Sequence, residues 1–236
     1  MKRSGTYAVA LAALITIAAA VCQGKVFLRW GSARDRMPMD YLGGKEACSV
    51  PVEINGGRAE LTVFSWDEDY GAVVSKLQKT HFAGKDAVFA RGEGLSIGVI
   101  REGSAVTRIM AVNLPPRSLV FRVAQTSAEF EKSRSASDVR RLTGLPVYPG
   151  STPSFYVANG ESGAGFELSR AGADEGTVRA FYEAALRGDG WAPMTGAGAN
   201  ATVYGRGDDI CMLFVGTSDS GTTIGLLHRK VAGSRD

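Results

Sequence analysis

Residues 59–73 read AELTVFSWDEDYGAV, and residues 164–178 read AGFELSRAGADEGTV. At the offset that separates them (164 − 59 = 105), Asp69-x-Gly71-x-Val73 falls on Asp174-x-Gly176-x-Val178. Downstream, VFARGEGLSIGVI at 88–100 lines up with VYGRGDDICMLFV at 203–215, now at a larger offset (203 − 88 = 115). Val88/Val203, Arg91/Arg206 and Gly92/Gly207 are identical there. Two matches in the same order are the signature of an internal repeat. The growing offset places an insertion of ten residues in the second copy, APMTGAGANA at 192–201.

Each copy spells the same local structure. VPVEI and AELTVF flank Asn55-Gly56-Gly57, a hairpin signal because two consecutive residues there need positive φ. Asp67, Glu68 and Asp69 then open a stretch with Tyr70, Val73, Val74 and Leu77 on one face, a helical spacing with acids at the positive helix end. In the second copy Val178, Phe181, Tyr182, Ala185 and Leu186 form the equivalent stripe, and Gly188 or Gly190 ends the helix. Three strands follow each helix, near 87–91, 95–100 and 106–112, and near 202–206, 210–215 and 222–228. The predicted fold is α+β: two related units, each an antiparallel β-sheet with one packed helix in ββαβββ order.

Outward from the repeats, the chain divides into a signal peptide or membrane anchor (1–28), a stalk (29–47), repeat 1 (48–112), a linker (113–144), repeat 2 (145–230) and a tail (231–236). Residues 7–22, YAVALAALITIAAAVC, follow Lys2 and Arg3. A basic start, an apolar run and Ala18-Ala19-Ala20 as an A-x-A site make a secretory signal, while the run's length also reaches the lower limit of a spanning helix. Either form places the remainder across the membrane, on the periplasmic side of a bacterial inner membrane. Cys22 adds a third option, lipidation after cleavage, although Val21 is a poor residue before such a cysteine.

Composition narrows the function classes. The 236 residues are 44% hydrophobic and 22% charged, with 30 glycines, so a core can be buried and wholesale disorder is excluded. Removing Lys2 and Arg3 leaves 25 of the 27 basic residues against 24 acidic ones, which gives no electrostatic footprint for nucleic acid. Cys48 and Cys211 lie in the exported part, where a disulfide between them would persist.

The catalytic motifs are weak. Gly94-Leu95-Ser96-Ile97-Gly98 matches G-x-S-x-G, yet Ser96 sits in an alternating strand rather than at a strand–turn–helix elbow. Arg206-Gly207-Asp208 and Arg91-Gly92-Glu93 read as hairpin turns. Asp67-Glu68-Asp69-Tyr70-Gly71 lacks the distal glutamate of a calcium loop. Gly196-Ala197-Gly198-Ala199-Asn200-Ala201 has no strand before it for dinucleotide binding. No cofactor and no metal are expected. The favoured reading is a membrane-tethered envelope protein that binds or scaffolds a protein partner, with Trp191, Met194 and Asn200 on the inserted loop as candidate partner-binding residues. The alternatives are a serine hydrolase using Ser96, His228 and an acid such as Asp209, and a small-ligand carrier with a pocket between the copies.

Overall fold

The computed structural model describes residues 43–83, 86–92, 94–114, 117–134, 139–194, 201–218 and 221–229. Among them the protein is mostly antiparallel β-sheet with three α-helices, an α+β fold. The signal or anchor segment, the Cys22 lipidation site and Gly196–Ala201 lie wholly or largely outside the described residues. No described helix is long and apolar enough to cross a membrane.

The chain forms two compact units, the first holding residues 43–52 and 57–131, the second 53–56 and 132–229. The N-terminal unit contains β1 (Lys45–Ile54, whose last two residues belong to the second unit), β2 (Gly57–Trp66) and α1 (Tyr70–Leu77), which runs into a π-helical turn at Gln78–Phe82. Then follow β3 (Ala87–Ala90), β4 (Leu95–Glu102), β5 (Ala105–Leu114), β6 (Arg117–Thr126) and α2 (Ser127–Arg134, whose last three residues belong to the second unit). Its strand order is β3-β4-β5-β6-β2-β1. The C-terminal unit contains β7 (Thr152–Asn159), β8 (Ala164–Ala171), α3 (Glu175–Gly188), β9 (Ala192–Met194), β10 (Ala201–Arg206), β11 (Asp209–Ser218) and β12 (Gly221–Arg229), ordered β7-β8-β12-β11-β10-β9.

Local chemistry sets the turns and caps as the sequence predicts. Asn55 (φ 46°) and Gly56 (φ 84°) both adopt positive φ, the requirement of a two-residue hairpin turn. Asp69 caps α1 by accepting from the Gly71 N–H at 2.8 Å. Asp174 caps α3 by accepting from the Thr177 N–H (2.9 Å) and hydroxyl (2.6 Å). These bonds to Thr177 hold the Asp174 carboxyl below the usual carboxylate range. The three acids at 67–69 are used in different ways: Asp69 caps the helix, Glu68 pairs with Lys76 and Asp67 pairs with Arg117.

Each helix lies on one face of its sheet. Val73, Val74 and Leu77 of α1 pack with Phe64, Trp66, Ile100, Ile109, Ala111 and Val120. Val178, Tyr182 and Leu186 of α3 pack with Tyr204, Cys211, Leu213, Val215, Ile224 and Leu226, and Trp191 closes that core. At roughly 1.5–3 kcal/mol per fully buried large apolar side chain, these two clusters dominate the stability of their units.

Three expectations are corrected by the topology. α1 and α3 are each followed by four strands of their unit rather than three, so ββαβββ is one strand short in both units. The range 113–144, read as a linker in which SLVFRVA could add one strand, contains that strand as β6, and its Phe121 and Val120 sit opposite Val63 and Phe64 in the heart of the sheet. Within the range 192–201, read as an inserted loop, Ala192–Met194 is an edge strand paired with β10, and Ala201 begins β10 itself. Consequently β10–β11 takes the place in its strand order that β4–β5 takes in the first, not that of β3–β4. The match of 88–100 with 203–215 aligned one hairpin with the wrong neighbour. Alternating apolar strands linked by glycine turns look alike at this level, and only pairing tells them apart.

Candidate functional site

The residues of the proposed serine triad are divided between the two units. Ser96 lies on the helix-facing side of β4, fully buried, with its hydroxyl 2.7 Å from the Tyr70 hydroxyl. Burial raises the Tyr70 pKa, opposed by that hydrogen bond. His228 and Asp209 belong to the C-terminal unit, where His228 Nε2 stands 3.9 Å from Asp209 Oδ2, beyond hydrogen-bond reach. Ser96 is a structural hydroxyl that satisfies Tyr70. Ser96→Ala is therefore expected to cost about 1 kcal/mol in urea unfolding and to leave function unchanged. A fluorophosphonate probe should leave Ser96 unlabelled, and a stoichiometric adduct there would restore the hydrolase reading.

The cysteine pair is also corrected. Cys48 is disulfide-bonded, whereas Cys211 is a free thiol, so the two do not bond to each other. Cys211 sits fully buried in the core beneath α3, opposite Tyr204 on one side and His228 on the other. Burial pushes its thiol up to about 12, which leaves it inert as a nucleophile.

Of the three candidate loop residues, Trp191 is a core side chain, 2% exposed. The Arg206 guanidinium lies 4.5 Å over its ring, and the His228 ring meets it edge-on at 5.8 Å. Met194 is exposed, on β9 opposite Val203. Asn200 lies outside the described residues. Among those residues no group of three or more His, Cys, Asp or Glu side chains converges on a point.

What the strands do bring together is apolar surface on the side of each sheet away from its helix. In β11, Cys211, Leu213 and Val215 face α3, so period-2 alternation turns Ile210, Met212 and Phe214 to the opposite side. All three are half-buried there, with Val203 and Ala201 of β10 beside Met212 and Phe214, and Met194 beside Val203. The inner strands of the same face carry Phe166, Leu168 and Leu227, which are buried. The N-terminal unit shows the same gradient. Leu61, Val63, Phe121 and Val123 of its inner strands are buried, Leu95, Ile97 and Val99 of β4 are half-buried, and Val88 of β3 is 68% exposed.

The sequence itself carries a signal for this face. DICMLFV in β11 and LSIGVI in β4 have almost no polar residue at the positions opposite the helix, where a solvated face would alternate apolar with polar. A polar segment does close one end of the N-terminal face. Phe130 of α2 lies 5.4 Å from the Arg101 guanidinium and 5.5 Å from that of Arg108. Burial lowers the Arg108 pKa to about 10, and Gln125 accepts a hydrogen bond from it at 2.5 Å.

In the C-terminal unit one buried ion pair anchors the segment that leads into β7. Glu167 of β8 accepts from Arg141 Nη1 (3.0 Å) through one oxygen and from the Leu142 N–H (2.9 Å) through the other. Arg141 also donates to the Ser151 carbonyl. Burial raises the Glu167 pKa, and the Leu142 N–H and Arg141 pull it back.

Comparison with known proteins adds little to this geometry. No protein-family profile matches the chain, and no curated protein matches it. A solved structure described as "Crystal structure of MucB in complex with MucA(peri)" aligns over 78% of this chain and 87% of that one, at 10% identity and a TM-score of 0.16. At that score the likeness decides neither fold nor function.

Proposed function

We infer that this chain is an exported, membrane-tethered envelope protein that acts by binding rather than catalysis, and that its two units arose by duplication. Lys2, Arg3 and the apolar run at 7–22 support export and tethering. Equal strand orders around one helix support duplication, as does the equal backbone at two corresponding turns, where Gly103 and Gly207 both have φ 57°. These glycines place Arg206-Gly207-Asp208 as a tight turn between β10 and β11, which explains that tripeptide without an adhesion role.

The observation that carries the binding reading is the open apolar face of the C-terminal unit, formed by Ile210, Met212, Phe214, Val203 and Met194. Half-exposed apolar side chains in one contiguous patch are the usual mark of an interaction surface, and two methionines let such a surface adapt to its occupant. Covering them more fully would contribute about 1 kcal/mol for each large side chain.

A photo-crosslinking amino acid at position 214, in the full chain in its own cells, tests this. Position 183 on the exposed side of α3 serves as the control. A discrete adduct from 214, absent from 183 and lost when Met212→Lys is added, is the expected result. Equal labelling from both positions, or none from 214, would sink the reading.

A further inference from the structure

We propose that Cys48 of β1 is bonded to Cys22, so that a disulfide clasps the end of the apolar run at 7–22 onto the N-terminal unit. The proposal rests on the export reading above and adds to it how the exported segment is joined to the fold.

The pairing follows by elimination. The sequence holds three cysteines, Cys22, Cys48 and Cys211. Cys48 is disulfide-bonded, whereas Cys211 is a free thiol enclosed in the core of the other unit. The structure holds a single chain, which leaves Cys22 as the partner. Cys22 lies outside the described residues, so what is assigned is a covalent partner and not a conformation. Cys48 is placed to take one. The Ser49 hydroxyl donates to Glu60 (2.7 Å) and meets the Thr62 hydroxyl (3.1 Å), so alternation turns Cys48 to the opposite side of β1. It is half-buried there, next to the exposed Glu46 and Ala47 at the start of the strand.

Forming the bond takes two protons and two electrons from the two thiols. A disulfide-bearing oxidant, protein or small molecule, accepts them and is reduced to thiols. Such bonds persist in exported compartments and are rare in the cytosol. The bond also decides between the fates open to Cys22. Lipidation would place a thioether on the same sulfur, so Cys22 carries no lipid. Cleavage after Ala20 leaves Val21-Cys22 at the new N-terminus and keeps the bond, as does a retained anchor. The separation along the chain (48 − 22 = 26 residues) could reach roughly 90 Å if extended. A disulfide instead holds the two Cα atoms about 5.5–6 Å apart. Residues 29–47 therefore belong to a closed loop and do not act as a spacer. With a retained anchor, the N-terminal unit sits at the membrane surface.

Thiol counting on the full chain in its own cells tests the pairing. Cells are quenched in acid, and the denatured protein is labelled with a maleimide-linked polyethylene glycol before or after reduction. One adduct before reduction, at Cys211, and three after it are expected. Cys22→Ser should raise the number before reduction to two by freeing Cys48, and denaturation makes that count independent of folding. A non-reduced tryptic digest should join residues 46–58 to a peptide that ends at Lys25, starting at Ser4 if the anchor stays and at Val21 if it is cleaved. A Cys48 that stays protected in Cys22→Ser, residues 46–58 joined to a second copy of themselves, or a lipid on Cys22 would each overturn the proposal. A C-terminal phosphatase fusion in a parallel strain separates it from the export reading. Active phosphatase with Cys48 labelled before reduction overturns the disulfide alone, whereas inactive phosphatase overturns export and the disulfide with it.

Discussion

Arg141→Ala is expected to destabilise the C-terminal unit by about 3 kcal/mol at pH 7 and by much less near pH 4. Glu167 is 2% exposed, and Arg141 is the cation paired with it. Removing the guanidinium leaves a buried carboxylate held by the Leu142 N–H alone, and an uncompensated buried charge costs far more than the pair contributed. Burial already raises the folded-state pKa of Glu167 above the value near 4.3 that it has in the unfolded chain. Between those two values the native state holds more protons than the unfolded one, so stability falls as pH rises through that window. Arg141 restrains the rise, and its loss extends the window upward. The penalty therefore reaches its full size above the folded pKa and shrinks toward pH 4, where the carboxyl is protonated in both states. Urea unfolding of wild type and variant across pH 4–8 measures it, and adding Glu167→Gln should recover part of the loss at pH 7. A penalty that is the same at every pH would mean that Arg141 acts through Ser151 and packing, not through the charge on Glu167.

Trp191→Ala should cost about 3–5 kcal/mol, the range for deleting a large buried aromatic side chain. Its ring fills the core beside Leu186 and Tyr204, under the Arg206 guanidinium and against His228. Met194→Ala, three residues on and 52% exposed, should change stability by less than about 0.5 kcal/mol. Urea midpoints at constant m-value separate the two. If Trp191→Ala kept its midpoint while abolishing binding, Trp191 would belong to a partner-binding loop after all, as its place beside the Gly/Ala-rich stretch suggested.

The legible part of the fold was local. Asn55-Gly56 could make only a two-residue hairpin turn of positive φ, and it does. Asp69 and Asp174 announce helix starts because a carboxylate two or three residues ahead of free N–H groups accepts from them. Val178, Tyr182 and Leu186 recur at helical spacing and are the buried stripe of α3. In each case the deciding interaction spans a few residues, so the sequence alone determined turns, caps, helix faces and the α+β class.

Strand neighbours were decided elsewhere. β6 pairs with β2 across more than fifty residues, and SLVFRVA reads as one added strand with nothing in it to mark a central one. β9 is a strand only because β10 supplies its hydrogen bonds, since Ala192-Pro193-Met194 has little intrinsic preference for one. Ser96 and Cys211 look reactive by residue type, but the cores that enclose them set their chemistry. Sequence period tells which side chains share a face. Which strand stands next in the sheet depends on contacts between distant segments, and there the tertiary structure alone decided what is buried and what is paired.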